Sequence, residues 1–183
     1  MNVEAAGNQI VRENEPLSER GEMAVMKEQT VVPMKSLFEA ATLEEATARI
    51  ARLRPDSKRQ WGKMNAAQML AHCAATMEMA VALTFPPRRF VGRLVGPLVR
   101  KAVITKGEPF RRNSPSDKSL IIREDRDFET ERQRLIGLLV RFTAGGPEGC
   151  TKHPHSFFGR LTPAEWAMFM HHHLDHHLRQ FGV

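Results

Sequence analysis

Five of the chain's eight histidines fall within seven positions, His171-His172-His173-Leu174-Asp175-His176-His177. Imidazole is the commonest side-chain metal ligand and the one group that titrates near neutral pH unperturbed, so such a cluster offers metal binding or proton transfer. Leu174 and Asp175 interrupt the run and LRQFGV follows it, so the cluster reads as part of the protein and not as an appended tag. On a helix, residues three or four apart share a face. His173 and His177 then extend the apolar stripe of Trp166, Phe169, Met170 and Phe181 and point inward, while His172 and His176 run from Glu165 and Met168 toward Arg179 and Gln180 on a mixed boundary face. His171 lies off the stripe, and Asp175 can pair with Arg179 on the outside.

Two buried imidazoles one turn apart are held neutral by desolvation, which is the form that binds a divalent ion. An isolated H-x-x-x-H is also what a helix C-terminus or a hydrogen-bonded core accommodates without any metal. A third histidine adds weight to the metal reading. His72, in QMLAHCAATMEMA, is the single histidine of its helical pattern, and its neighbours on the same face, Gln68, Met69, Ala75 and Thr76, are largely small or apolar. Three histidines from two helices form an open site that leaves positions for water or substrate. Cys73 is about 100° round the helix from His72 and is read as core instead of a fourth ligand. His153 and His155, in HPHSFFG, belong to a loop that packs Phe157 and Phe158, with a pocket rim as the alternative, and Trp61 and Trp166 are core anchors before they are stacking surfaces.

Helices must position these residues. Thr42 with Glu45 predicts the start of a first helix running to Arg54 and stopped by Pro55, and Asn65 with Gln68 predicts a second running to Leu83. Asp127 caps a third, FETERQRLIGLLVRF. Thr162-Pro163-Ala164-Glu165 opens the fourth, through Gln180, with Gly182 placed to end it. Between the second and third, FVGRLVGPLVRKAVI has the spacing of a short amphipathic helix bent at Gly96-Pro97, two residues that count against its continuity. SLIIR, residues 119–123, is too short for a strand without a partner. The expected fold is all-α, a four-helix bundle with a long basic connection between the second and third main helices.

That connection is the main charge feature. From Pro86 to Arg112 there are eight basic residues, Arg88, Arg89, Arg93, Arg100, Lys101, Lys106, Arg111 and Arg112, against Glu108 alone, whereas the whole chain carries a formal +6. Such a segment suits phosphates, an anionic membrane, an acidic substrate or a solvated face. Residues 1–33 are polar without an apolar period and are expected to be a disordered tail; residues 34–183 are expected to form the helical domain. No signal-peptide or spanning run, nucleotide-binding glycine pattern or Gly-x-Ser-x-Gly elbow is present. Two cysteines, Cys73 and Cys150, suggest reduced thiols in a cytoplasmic protein.

The blocks RQWGKMNAAQMLAHC, GEPFRRNSPSD, EDRDFETERQRL and HSFFGRLTPAEWAMFMHHHLDHHLRQFGV resemble an uncharacterised bacterial branch, known only as a domain of unknown function, of the DinB/YfiT-like superfamily of metal-binding proteins. The resemblance covers about Met34 to Val183. It implies a DinB/YfiT-type four-helix bundle holding one divalent metal ion, usually zinc or nickel, through His72, His173 and His177. The superfamily includes mycothiol-dependent maleylpyruvate isomerase and bacillithiol S-transferases. Its usual ending, His-Arg-Gly-Gln, is here His177-Leu178-Arg179-Gln180.

Two classes of function follow. In the first, the chain is a metal-dependent enzyme acting on a small molecule, with a low-molecular-weight thiol in a transferase or isomerase preferred to hydrolysis. In the second, it is a non-enzymatic metal-binding bundle that docks an anionic partner, nucleic acid or membrane, through the basic segment. A homodimer is compatible with either, and no catalytic acid or base stands out.

Overall fold

Capping chemistry fixes where most of the helices begin. Described by a computed structural model over residues 34–114 and 117–183, the chain forms five α-helices among those residues: α1 (Ala40–Arg52), α2 (Ala66–Ala80), α3 (Phe90–Arg100), α4 (Phe128–Gly145) and α5 (Pro163–Gln180). The tail expected over residues 1–33 lies outside the described residues. Asn65 accepts from the Gln68 N–H at 2.8 Å while the Gln68 amide accepts from the Asn65 N–H at 3.0 Å, a complete capping box. Thr162 and Glu165 form a second box with Pro163 inside it, and Asp127 accepts from the Thr130 N–H at 2.8 Å. Each such cap contributes about 1 kcal/mol.

The first helix begins two residues before the expected cap. Glu39 precedes α1 without a side-chain cap bond, and Thr42 is buried, donating its hydroxyl to Glu39 at 3.2 Å. Leu37, fully buried, donates its N–H to the Ala167 carbonyl of α5 at 3.4 Å, so packing on α5 sets the entry of the chain ahead of the local cap signal. The connection contains the short amphipathic helix its spacing allowed, and that helix is continuous. It is α3, which runs through Gly96-Pro97 and continues into a π-helical turn, Lys101–Thr105. Pro97 deprives the Arg93 carbonyl of its helical donor. Arg93 is exposed, so its carbonyl is not forced to find a donor within the protein. SLIIR forms no strand; a 3-10 turn spans Lys118–Leu120, and the β-type pairing among the described residues is the bridge between His155 and Gly159.

The longer helices pack on one another around a core that includes Ile50, Leu70, Leu139, Phe142, Trp166, Met170 and Leu178. α2 lies parallel to α4, tied by Arg134 to Glu78 at 2.6 Å, and antiparallel to α5. Twelve of the fifteen residues of α2 are buried, so a histidine there has little chance of reaching solvent. α1 follows α5. Asp175 pairs with Arg179 at 2.9 Å as expected, but it is not on an outer face: it also accepts from Arg49 of α1 at 2.7 Å, and Arg49 donates to the Val183 oxygen at 2.8 Å. Burial alone would raise the Asp175 carboxyl, but the Arg49 hydrogen bond and the neighbouring charges outweigh it and hold the group below its ordinary range. This clamp fixes the last turns of α5, which carry the histidine cluster, against α1.

Candidate metal centre

The structure brings together His72 from α2 with His173 and His177 from α5. One ring nitrogen from each lies within 4.8 Å of the other two, so the group could hold a metal ion. His72 Nε2 and His173 Nε2 are 3.1 Å apart. A tetrahedral zinc with bonds of about 2.05 Å spaces its nitrogen ligands by roughly 3.3 Å, so His72 and His173 already stand near the spacing of two ligands of one ion.

Their outer nitrogens decide which lone pairs are free. His72 Nδ1 is 2.8 Å from the Leu120 carbonyl, which can only accept, so Nδ1 carries the proton and Nε2 keeps its lone pair. His177 Nδ1 is 3.0 Å from Gln180 Oε1. The Gln180 amide is oriented by its own Nε2, which donates to the Trp61 carbonyl at 2.7 Å. His177 therefore also donates from Nδ1 and keeps a free Nε2. Imidazoles that ligate metals are ordinarily held this way, with the second nitrogen donating to a fixed acceptor. Gly62 makes the arrangement possible: its φ is +81°, and a Cβ there would collide with the Gln180 amide nitrogen.

All three imidazoles are neutral near pH 7. Burial lowers the His72 pKa, and it takes His177 down to about 3 with a further contribution from His72. His173 lies well below its ordinary value, through burial first and then the nearby His177 and His72. The group contains no carboxylate and no thiolate. A divalent ion on it keeps its whole charge, which favours a polarised water or an anionic fourth ligand.

Around this group stand aromatic walls. Phe110, from the connection, lies with its ring centroid 5.0 Å from His172, 5.7 Å from His176 and 6.3 Å from His173, and Phe169 is 5.8 Å from His173. Trp61 is 5.7 Å from His176, and the Arg112 guanidinium sits 4.3 Å over the Trp61 ring. His171, His172 and His176 are half-buried outside the three-nitrogen group, His172 Nε2 being 3.0 Å from the Glu108 carbonyl. Cys73 is core: it is buried beside Met69, and burial pushes its thiol up, as it pushes Cys150 up to about 11. His155 is not at the site either; it is buried and accepts the Phe157 and Phe158 N–H groups at Nδ1, 3.1 and 3.2 Å. A shallow depression lined by Leu53, Pro55, Phe128 and Arg132 includes none of these histidines.

The basic segment divides. Arg89 forms a forked pair with Asp117 at 2.8 and 2.7 Å, and Asp117 in turn accepts from the Ser119 N–H and hydroxyl, holding the turn whose Leu120 carbonyl meets His72. Arg100 pairs with Glu165 at the start of α5. Arg93 and Lys101 are exposed on and after α3, and Arg112 returns to the edge of the aromatic wall. The sequence reading overlooked Leu120 and Phe110 and placed Gln180 on a boundary face, whereas Gln180 is buried against His177. Its position three residues after His177 was the available signal.

Replacing Gln180 by Ala should weaken metal binding by about 10–100-fold without unfolding the chain, because it frees the His177 ring to turn and to change tautomer. Competition against a chromophoric chelator reads this directly, and unchanged affinity would show that Gln180 is only packing.

Residues 34–182 match the family described as "Protein of unknown function (DUF1569)", and the chain belongs to that family. No curated protein and no solved structure gives a significant match. Among the described residues no helix is long and apolar enough to cross a membrane.

Proposed function

We propose that this family member is a metal-dependent enzyme acting on a small molecule, with one divalent ion, zinc or nickel, held by His72, His173 and His177. The observation that carries the reading is the paired orientation of His72 and His177. Their Nδ1 protons are engaged by Leu120 and Gln180, so two Nε2 lone pairs remain available next to His173 Nε2. The arrangement of α1, α2, α4 and α5, with the long connection between α2 and α4, supports placing the domain among DinB/YfiT-type four-helix bundles.

Bound there, the ion would supply a thiolate or hydroxide nucleophile near neutral pH. The protein's own residues do the rest. The neutral imidazoles leave the positive charge undiminished, Phe110 and Trp61 shield the site from bulk water, and Arg112 at the edge of the wall attracts a carboxylate on the incoming molecule. Thiol transfer or isomerisation is preferred to hydrolysis, because a thiol loses its proton more readily than water and is the stronger nucleophile once its sulfur is stabilised.

The test is metal analysis of protein produced without a histidine tag, followed by transfer assays with glutathione, bacillithiol and mycothiol. One equivalent of metal and metal-dependent consumption of one of these thiols is the expected result. Failure to take up an equivalent of zinc or nickel would overturn the metal centre, and metal uptake with hydrolysis but no thiol transfer would reverse the preference.

A further inference from the structure

α3 turns an apolar face to solvent. Phe90, Val91, Leu94, Val95 and Leu98 are all exposed, Phe90 by 74% and Leu98 by 72%, with Phe85 beside them in the preceding segment. At 100° per residue the five helical positions fill an arc of roughly 140°. The opposite arc carries Gly92 and Gly96, both buried. A Cβ at either would collide with the Phe157 carbonyl, so these glycines let the helix backbone sit directly on the 155–159 turn. α3 is thus fixed to the body by its glycine face and cannot roll to cover the apolar one.

Cations border this face. On the same projection Arg93 lies about 60° outside the Phe90 edge of the apolar arc; Lys101 and Lys106 follow in and after the π-helical turn, all three exposed, with Glu108 3.9 Å from Lys106 at the end of the segment. Between Glu78 and Glu108 the sequence has no acidic residue. An exposed apolar arc with Arg93 at its edge, Lys101 at its end and no carboxylate on the helix itself is the pattern of a helix lying in the plane of an anionic bilayer surface, side chains in the acyl boundary and cations at the phosphates.

We propose that α3 is a docking surface for an anionic lipid bilayer, which the protein binds peripherally. A second copy of this chain fits less well, because two-fold pairing of the face would bring two basic helices together with no carboxylate on either to offset them. Bilayer binding is independent of the metal centre, whose histidines lie on other helices, and it places the domain at a membrane surface with no spanning helix among the described residues.

The test is co-sedimentation of the full chain with phosphatidylcholine vesicles, with or without phosphatidylglycerol, at low and high salt, alongside sedimentation velocity without lipid. Binding that requires phosphatidylglycerol and weakens with salt is expected. The double variant Leu94→Ser, Leu98→Ser should abolish it. Arg93→Gln, Lys101→Gln and Lys106→Gln together should weaken it by about a hundredfold, at roughly fivefold per charge. The substituted side chains are exposed, so the helical circular dichroism signal should not change. Equal binding to both vesicle types, no binding to either, or wild-type binding by the serine variant would overturn the proposal. So would a dimer in lipid-free solution that the serine variant dissociates, which would assign the face to a second copy.

Discussion

Alanine at His173 is expected to weaken divalent-metal binding by at least about a hundredfold, beyond the loss that removing an outer-shell partner causes. His173 supplies the ring nitrogen that stands 3.1 Å from that of His72, and without it only two ligands remain, His72 and His177, with ring centroids 4.7 Å apart. His72→Ala and His177→Ala should be as damaging, whereas His171→Ala and His172→Ala should leave affinity within about twofold, since neither ring belongs to the group of converging nitrogens. His176 is a sharper control: its ring is 5.1 Å from His177, yet it faces Trp61 and Phe110, so His176→Ala should disturb the wall and spare the metal. Calorimetric titration of zinc into chelator-stripped protein separates these outcomes. A full equivalent bound tightly by His173→Ala would end the assignment, and loss in His176→Ala would show that the ion lies on the other side of α5.

The helix starts at Asn65, Asp127 and Thr162 were legible because each is a local hydrogen-bonding device complete within four residues. The start of α1 was misjudged by three residues, its cap being Glu39 and not Thr42, because its entry is set by a tertiary contact, Leu37 on Ala167, which no local pattern encodes. The Gly96-Pro97 step counted against the continuity of α3 on a rule that assumes the freed carbonyl must find a protein donor; on an exposed helix it need not. The same division runs through the candidate site. Helical periodicity sufficed to turn His72, His173 and His177 to the interior, since twelve residues of α2 and the stripe of α5 leave no doubt which way the core lies. What orients the rings was hidden. The Leu120 carbonyl is a backbone acceptor carried by an aperiodic loop, and residue type says nothing about it. Gln180 was visible at the right spacing but seemed a boundary residue, because the sequence does not show that the turn at Trp61 and Gly62 folds over it.

Asparagine at His155 should make the metal-free protein less sensitive to acid than the wild type, even if it is less stable at pH 7. His155 is 7% exposed, packed against Phe158, Phe169 and Trp166, and its Nδ1 accepts two backbone N–H groups, which requires the ring to be neutral. Burial pushes its pKa from 6.5 down to about 4, with the Asp117 charge partly restoring it and the Arg88 charge opposing. Because the folded pKa is below the unfolded one, the unfolded chain takes up the proton first as pH falls. The stability tied to a neutral His155 is therefore intact above pH 6.5 and is lost progressively down to about pH 4, reaching about 3 kcal/mol at 1.36 kcal/mol per pH unit. Asparagine keeps a short side-chain acceptor but has no proton to gain, so the slope of stability against pH should fall by up to about 1.4 kcal/mol per unit in that window. The buried histidines of the metal group lose stability in the same direction, His177 as far as about pH 3, but they are present in both proteins and cancel in the difference. Urea unfolding in the presence of a chelator, repeated from pH 7 to pH 4, measures the two slopes. Parallel curves would mean that His155 is protonated as easily in the folded chain as in the unfolded one, and that the two N–H groups it accepts do not hold it neutral.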